Sequence, residues 1–332
     1  MSNQSRVIIV GAGLAGLTAA RELSERGISV TVFDKGRGLG GRMATRRIEV
    51  EGRGTARFDH GAQFFTVRDA RFGQLIGRWM AEGAVREWCR GFERDDGHPR
   101  YVATDGMAGL TKHIGRGLDV RTSSLVFSVA ASGNGTWNVT LDDGSVHEAD
   151  GVIVTCPLPQ SYSLLVTAGV ELPRELIMTD YDRTLGLLAV LDRPTTSLGV
   201  GGRQNPDDVF SWIGDNQAKG ISDLPAVTFH ANPEWSKAHW DDAPDEAHAL
   251  LRELASRHLP DATIVQSEFK KWRFATPKAI WPESCLTAGP DQSIVATAPL
   301  ALAGDAFAGP KVEGAVLSGL AAGEWMADQQ RN

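Results

Sequence analysis

The chain is poor in three things: cysteine, long apolar runs and positive charge. Its cysteines, Cys89, Cys156 and Cys285, are odd in number and widely spaced, which excludes a disulfide framework or a cysteine metal cluster and suits a reducing compartment. The longest apolar stretch near the C-terminus, Ile294 to Ala303, is broken by Pro299 and is too short for a bilayer. Met1 to Arg6 is short and polar, and the apolar run behind it stops at Gly11 with no small-residue cleavage site, so the expectation is no signal peptide and a cytoplasmic protein. A formal charge of −7 argues against a nucleic-acid surface, although Arg37, Arg42, Arg46, Arg47, Arg53 and Arg57 crowd into one stretch. Repeats of fixed period and low-complexity segments are missing too. At 332 residues, 42% hydrophobic and 23% charged, composition leaves an ordinary globular chain of one large or two smaller domains.

What is present begins at Val7. Residues Val7 to Asp34 read VIIVGAGLAGLTAARELSERGISVTVFD. Four apolar β-formers lead into Gly11, Gly13 and Gly16 at GxGxxG spacing. A helix follows with Leu14, Leu17, Ala20 and Leu23 on one stripe and Gly27 as its stop; then come a strand, Ser29 to Phe33, and Asp34. In this context the glycines serve a tight turn, close approach of backbone to a diphosphate, and close packing of helix on sheet. The helix N-terminus offers unpaired N–H groups and a positive dipole end, and Asp34 stands where a ribose 2′-hydroxyl is read. The unit therefore reads as a dinucleotide site. Gly36, Gly38 and Gly41 repeat the spacing, but Met43 to Val50 is β-like and basic, not helical. That second run reads as an arm whose Arg42 can reach the same diphosphate, or as a solvated basic turn.

Further along, Thr55 to Tyr101 is mixed, with a helical pattern over Phe72 to Glu82. Strands are expected at Leu125 to Val129, Trp137 to Leu141 and Gly151 to Thr155, with a turn at Asp143-Gly144. Pro157 to Glu283 is rich in Pro, Trp and polar loops. Strands are expected there at Leu185 to Leu191, Val209 to Ile213, Ala226 to His230 and Val265 to Phe274, and a helix at Pro244 to His258. A last strand, Leu300 to Ala303, runs into Gly304-Asp305, and a helix is expected from Val312 to Ala327. The pattern predicts a mixed α/β chain whose Rossmann-type cofactor domain is discontinuous (1–70, 102–160 and 285–332), with a β-rich substrate domain (71–101 and 161–284) threaded through it.

Three constellations carry chemistry besides the opening loop. Gly304-Asp305 at a strand end offers a carboxylate for polyol hydroxyls. The helix start Val312-Glu313-Gly314-Ala315 points its dipole at whatever lies beyond, or is simply a packed helix with an acid at its cap. Phe58 to Phe65 sets small residues between aromatics, which suits a segment lying along a ring or an ordinary turn into a buried strand. Phe64, His230 and Trp272 are candidates for a substrate pocket: the aromatics would stack on a flat ring and His230 would hydrogen-bond its carboxamide, although a strand histidine satisfied by its own neighbours reads equally well. Lys271 faces opposite to Trp272 by the strand period. The cysteines read as incidental to chemistry, and no metal site is expected.

The opening loop, DKGRGLGGRM (34–43), DHGAQFF (59–65), Thr155-Cys156-Pro157, HANPEWS (230–236), Lys271 to Ala275 and AGDAF with KVEGAVLSG (303–319) occur in an order that resembles the renalases, above all their bacterial branch, within the flavin amine oxidases. The resemblance runs over nearly the whole length. It implies non-covalent FAD in a fold like that of p-hydroxybenzoate hydroxylase. It places the cofactor against Gly11, Ala12, Gly13, Leu14, Ala15, Gly16, Asp34 and Lys35, then Gly41, Arg42, Met43, His60, Gly61, Ala62 and Gln63. Val126, Thr155, Gly304, Asp305, Val312, Glu313, Gly314 and Ala315 complete that set, Val126 through its backbone at the adenine. Ala306 stands where bacterial relatives can carry tryptophan, and Phe64 replaces a tyrosine. The absence of a cysteine near Asp305 goes with an unattached flavin.

The resemblance further implies an oxidase that takes hydride from the 2- or 6-dihydro isomers of NAD(P)H and passes the electrons to molecular oxygen as hydrogen peroxide. Hydride loss from a dihydropyridine leaves an aromatic cation, so no side chain need accept a proton, and orientation against flavin N5 is what the protein must supply. Two other readings share the cofactor: an oxidase of small amines, which requires an aromatic cage and acids for an ammonium group, and a flavin-binding protein without turnover.

Overall fold

The computed structural model describes residues 5–331, so the polar stretch on which the expectation of no signal peptide rests lies outside the described residues as far as residue 4. In chain order the strands are β1 (Arg6–Val10), β2 (Ser29–Phe33), β3 (Thr45–Val50), β4 (Gly54–Asp59), β5 (Val85–Cys89), β6 (Arg100–Ala103), β7 (Asp119–Arg121), β8 (Val126–Ala131), β9 (Trp137–Leu141), β10 (Val146–Ala149), β11 (Gly151–Val154), β12 (Tyr181–Leu191), β13 (Gly202–Gln204), β14 (Phe210–Asp215), β15 (Ala226–Ala231), β16 (Ile264–Pro277), β17 (Leu286–Ala288) and β18 (Leu300–Leu302). The helices are α1 (Leu14–Glu25), α2 (Ala70–Ala81), α3 (Met107–Ile114), α4 (Leu158–Leu165), α5 (Arg174–Ile177), α6 (Pro233–Ala238), α7 (Pro244–Ser256) and α8 (Lys311–Gln329). They divide into two compact units, one of Met1–Gly41, Thr111–Asp180 and Pro277–Asn332, the other of Arg42–Leu110 and Tyr181–Thr276.

The first unit is built on a six-stranded sheet of order β17-β18-β11-β1-β2-β7, parallel except for β17. Its inner strands β1 and β11 are apolar and buried almost throughout, as expected of a parallel sheet covered on both faces. Helices α1 and α8 lie flush: a β-carbon on Gly319 would come within 2.3 Å of the Ala15 carbonyl, and one on Gly323 within 3.1 Å of that of Ala19. The meander β8 to β10 turns at Gly144, whose φ of 84° requires glycine's freedom, with Asp143 accepting from Ser145 N–H at 2.8 Å.

The second unit is built on a sheet of order β13-β14-β15-β12-β16. Strict alternation along β12 separates its faces. Leu185, Leu187, Ala189 and Leu191 pack with Ile213, Phe229 and the α7 residues Leu251 and Ala255. Leu188 and Val190 pack from the other side against Ile48, Val50, Ala56 and Phe58 of the β3–β4 hairpin. Beyond that hairpin the chain from His60 to Phe65 runs on over the remainder of the same face.

Candidate functional site

In the first unit the phosphate loop has the close contacts its glycines imply. A β-carbon on Gly16 would sit 1.9 Å from the Gly11 carbonyl, and one on Gly11, where φ is 108°, would sit 2.6 Å from Thr155 Oγ1. The Thr155 hydroxyl faces the carbonyls of Val10 and Gly11 at 3.0 and 3.1 Å and ties β11 to the loop. Gly13 differs: nothing lies within 4 Å of where its side chain would be. It caps α1 without a side-chain bond, and the Leu17 N–H to Gly13 carbonyl bond begins the helix, so the N–H groups before Leu17 have no partner within the helix. A donor-lined, side-chain-free approach of this kind fits a diphosphate.

Asp34 already serves the loop, accepting from Ala12 N–H and Gly36 N–H at 2.6 Å each, with lone pairs left on both oxygens for a ribose. Its carbonyl accepts from Ser124 N–H at 2.9 Å, which brings Val126 alongside, whereas Lys35 is exposed. At the far end of the unit Gly304 N–H bonds Ser318 Oγ at 2.9 Å, and a β-carbon on Gly314 would strike the Gly309 carbonyl at 1.7 Å. The loop leading into α8 holds Ala308 and Lys311 at φ of 57° and 87°, left-handed values that non-glycine residues adopt at a cost of about 1–3 kcal/mol. Asp305 and Val312 are buried, Glu313 and Ala315 partly so.

The second unit gathers the rest of the expected residues on one sheet face. The His60 carbonyl receives two donors, Trp272 Nε1–H at 2.7 Å and His230 Nε2 at 3.1 Å, and the His60 ring stacks on Trp272 with centroids 5.2 Å apart. Burial first, then the positive charges of Lys270 and Arg46, hold the His60 imidazole down at about 4; burial does the same for His230. Both rings are therefore neutral at pH 7, and the carbonyl partner places the His230 proton on Nε2, leaving Nδ1 as an acceptor. Gly61 lies so close to Arg42 that a β-carbon would meet its carbonyl at 2.0 Å; that carbonyl accepts from Ala62 N–H at 2.8 Å. Met43 is buried and Gly41 exposed.

Phe64 enters a cluster in which Phe64, Trp88, Phe92 and Trp212 all touch one another, with centroids 4.9 to 6.5 Å apart. Trp212 pairs with His230 across β14 and β15, and its indole lies on the bare backbone of Gly214 and Gly202, where β-carbons would come within 2.5 and 2.7 Å. Sequence reasoning passed over Trp212; the only signal was two glycines that prove to be partners across β13 and β14.

It also passed over an ion pair. Lys219, 1% exposed, meets Asp59, 0% exposed, at 2.9 Å and donates to the Gln63 carbonyl at the same distance. The other carboxylate oxygen of Asp59 accepts from Thr45 Oγ1 at 2.7 Å and from Met107 N–H, at the start of α3, at 2.8 Å. Gln63 in turn donates to the carbonyls of Asp59 and Gly61. The segment 59–63 is thus pinned by charge at one end and by the doubly bonded His60 carbonyl beside it. Cys285 is pushed up to about 11 by burial, which removes it as a thiolate nucleophile.

Residues 9–78 match the model of an NAD(P)-binding Rossmann-like domain, and residues 72–324 that of the flavin containing amine oxidoreductases. Among solved structures the chain resembles a candidate protoporphyrinogen oxidase from Exiguobacterium sp. 255-15, at 15% identity over 98% of this chain and 99% of that one, with a TM-score of 0.70. It also resembles a putrescine oxidase redesigned in cofactor binding (16%, 98% of each chain, TM-score 0.67) and a fatty acid isomerase from P. acnes (12%, 83% and 88%, TM-score 0.59). At these identities the likeness is one of fold. The mixed α/β architecture expected from sequence is therefore that of flavin amine oxidase structures, and the family together with the dinucleotide loop makes FAD the cofactor. The chain belongs to the flavin-containing amine oxidoreductases.

Proposed function

We propose that the chain is an FAD-dependent oxidase of the renalase kind, oxidising the 2- and 6-dihydro isomers of NAD(P)H at the expense of molecular oxygen. Bound FAD would supply the hydride acceptor and the reductant of oxygen. In this reading Gly11 to Gly16, Asp34 and the α8 loop hold the cofactor, and the face around His60, His230 and Trp272 receives the substrate. The observation that carries it is that, among the described residues, the carboxylates at this face are already paired with cations of the chain. Asp59 is neutralised by Lys219, and Glu268 is shared by Arg46 and Lys270 at 3.1 and 2.6 Å. The neutral His230 can accept from a carboxamide N–H at Nδ1, and Trp272, its N–H already committed, offers only its ring for stacking. In the aromatic cluster around Phe64, cations of the chain itself already lie over two of the rings, Lys219 over Trp88 at 5.4 Å and Arg100 over Phe92 at 5.7 Å.

Loss of hydride from a dihydropyridine needs orientation without proton removal, so two histidines held neutral are compatible with turnover. The test is anaerobic mixing of the FAD-loaded protein with 2- and 6-dihydroNAD and, separately, with a panel of small amines, while flavin absorbance is followed. Bleaching by the dihydronicotinamides is the expected result. Bleaching by amines alone would overturn it in favour of an amine oxidase, and no bleaching by either would leave a flavin-binding protein.

A further inference from the structure

We propose that Lys270 reads a phosphate of the substrate and so makes this face selective for anionic dihydronicotinamide nucleotides over cationic amines. The inference rests on the dihydronicotinamide reading and adds to it the residue that sets substrate class. Glu268, Lys270 and Trp272 alternate along β16 and share one face: Glu268 takes a two-pronged bond from Arg46 at 3.1 and 3.2 Å, and Trp272 holds the His60 carbonyl. Residues between them face the other way, Phe269 to the ring of His248 and Lys271 to the carbonyl and ring of Trp240.

On the shared face one carboxylate serves two cations, so the group carries a surplus positive charge. Arg46 takes the planar fork, which leaves Lys270 with a single 2.6 Å contact to Glu268 and two further N–H donors. Its side chain is 26% exposed, open enough to be reached. Lys270 and His230 flank the buried Gly186, where a β-carbon would be 3.7 Å from Lys270 Cβ and 3.6 Å from His230 Cδ2, so the two side chains rise from either side of one backbone position. A ligand reaching both would meet a carboxamide partner at one and an ammonium at the other. The same surplus charge repels a substrate that is itself an ammonium ion.

The experiment compares 6-dihydroNAD, the corresponding mononucleotide and the riboside, which carries no phosphate, as substrates of the FAD-loaded protein and of its Lys270→Gln and Lys270→Arg variants. One charge-assisted bond at a part-exposed site corresponds to about a tenfold effect. The ratio of the riboside KM to the dinucleotide KM is expected to fall about tenfold in Lys270→Gln and to recover in large part in Lys270→Arg. In the parent protein the dinucleotide KM should rise with salt more steeply than that of the riboside. An unchanged ratio overturns the inference. So does a Lys270→Gln defect that appears as lost FAD retention with the ratio intact, because the phosphate read would then be the cofactor's. If no dihydronicotinamide is oxidised, the functional reading fails by itself. NAD⁺ and nicotinamide riboside binding, measured by calorimetry, then decides Lys270 separately: equal loss or no loss for both ligands in Lys270→Gln overturns it, and a loss confined to NAD⁺ supports it.

Discussion

Replacing Lys219 by methionine removes one half of a pair that is closed off from water on every side, while the apolar stem is kept. Removing one partner of such a pair costs about 3–5 kcal/mol, because the remaining charge is left without compensation. Here Asp59 would keep its bonds from Thr45 and Met107 at one oxygen, whereas the other oxygen, which accepts no hydrogen bond beyond its 2.9 Å contact with Lys219, would be stranded. The Gln63 carbonyl loses its donor as well. Retention of two of the carboxylate's contacts puts the loss near the lower limit, about 3 kcal/mol. At about 2–4 °C per kcal/mol for a domain of this size, Tm should fall by about 6–12 °C. Asp59→Asn combined with Lys219→Met keeps the acceptor for Met107 and removes the stranded charge, so the double variant should be more stable than Lys219→Met alone. Thermal and urea melts of all four proteins close the cycle. A Lys219→Met Tm within about 2 °C of the parent, or a double variant less stable than the single, would refute the reasoning.

Three further outcomes follow from the same geometry. Gly13→Ala meets nothing in the protein, so the apoprotein should melt as the parent does but retain FAD at least about tenfold more weakly, whereas Gly16→Ala should fail to fold; equal flavin-to-protein absorbance ratios for Gly13→Ala and parent would count against diphosphate binding there. Asp34→Ala should weaken FAD retention on dialysis, both by loosening Ala12 and Gly36 and by removing the ribose acceptor; full occupancy would refute that placement. For His60 and His230 the folded values near 4 lie below the ordinary value of 6.5, so the unfolded chain binds more protons between those limits. Their contribution to stability is present above about pH 6.5 and is lost as pH falls towards 4. Urea midpoints at pH 7 and pH 5 check the sign, and an imidazole resonance of either residue titrating near 6.5 would contradict it.

What sequence disclosed was what is local. The unit from β1 to β2 matches the expected ranges because strand, glycine loop, helix and stop are signalled within a few residues of each other. Likewise α7 and α8 were visible from continuous apolar stripes, each ending within two residues of its expected limit. The eight-residue helices α3 and α4 were not, because one follows Gly106 and the other carries Pro159 in its first turn, and both are too short for a period to emerge. Strand β12 starts at Tyr181, four positions before the expected Leu185, because Asp182 to Thr184 break the apolar pattern. In the candidate site, His230 and Trp272 were legible as aromatic or titratable residues in strands. That both are turned onto one carbonyl, that of His60, depends on pairings between distant segments. Lys219 and Asp59 illustrate the limit, since charged residues so far apart in sequence read as solvated until the fold buries them together.

The flush packing of α8 on α1 also has a consequence for the order of events during synthesis. The segment that carries the phosphate loop emerges from the ribosome long before α8, which supplies the surface that covers its helix. Until Gly319 and Gly323 arrive, the stripe of α1 around Ala15 and Ala19 has no cover, and the loop cannot settle into its final form. The other unit, whose later segment ends at Thr276, has all its partners earlier. The phosphate-loop unit should therefore complete its fold after the other although its first strand is made earlier, and a nascent chain arrested before α8 should be unable to capture FAD.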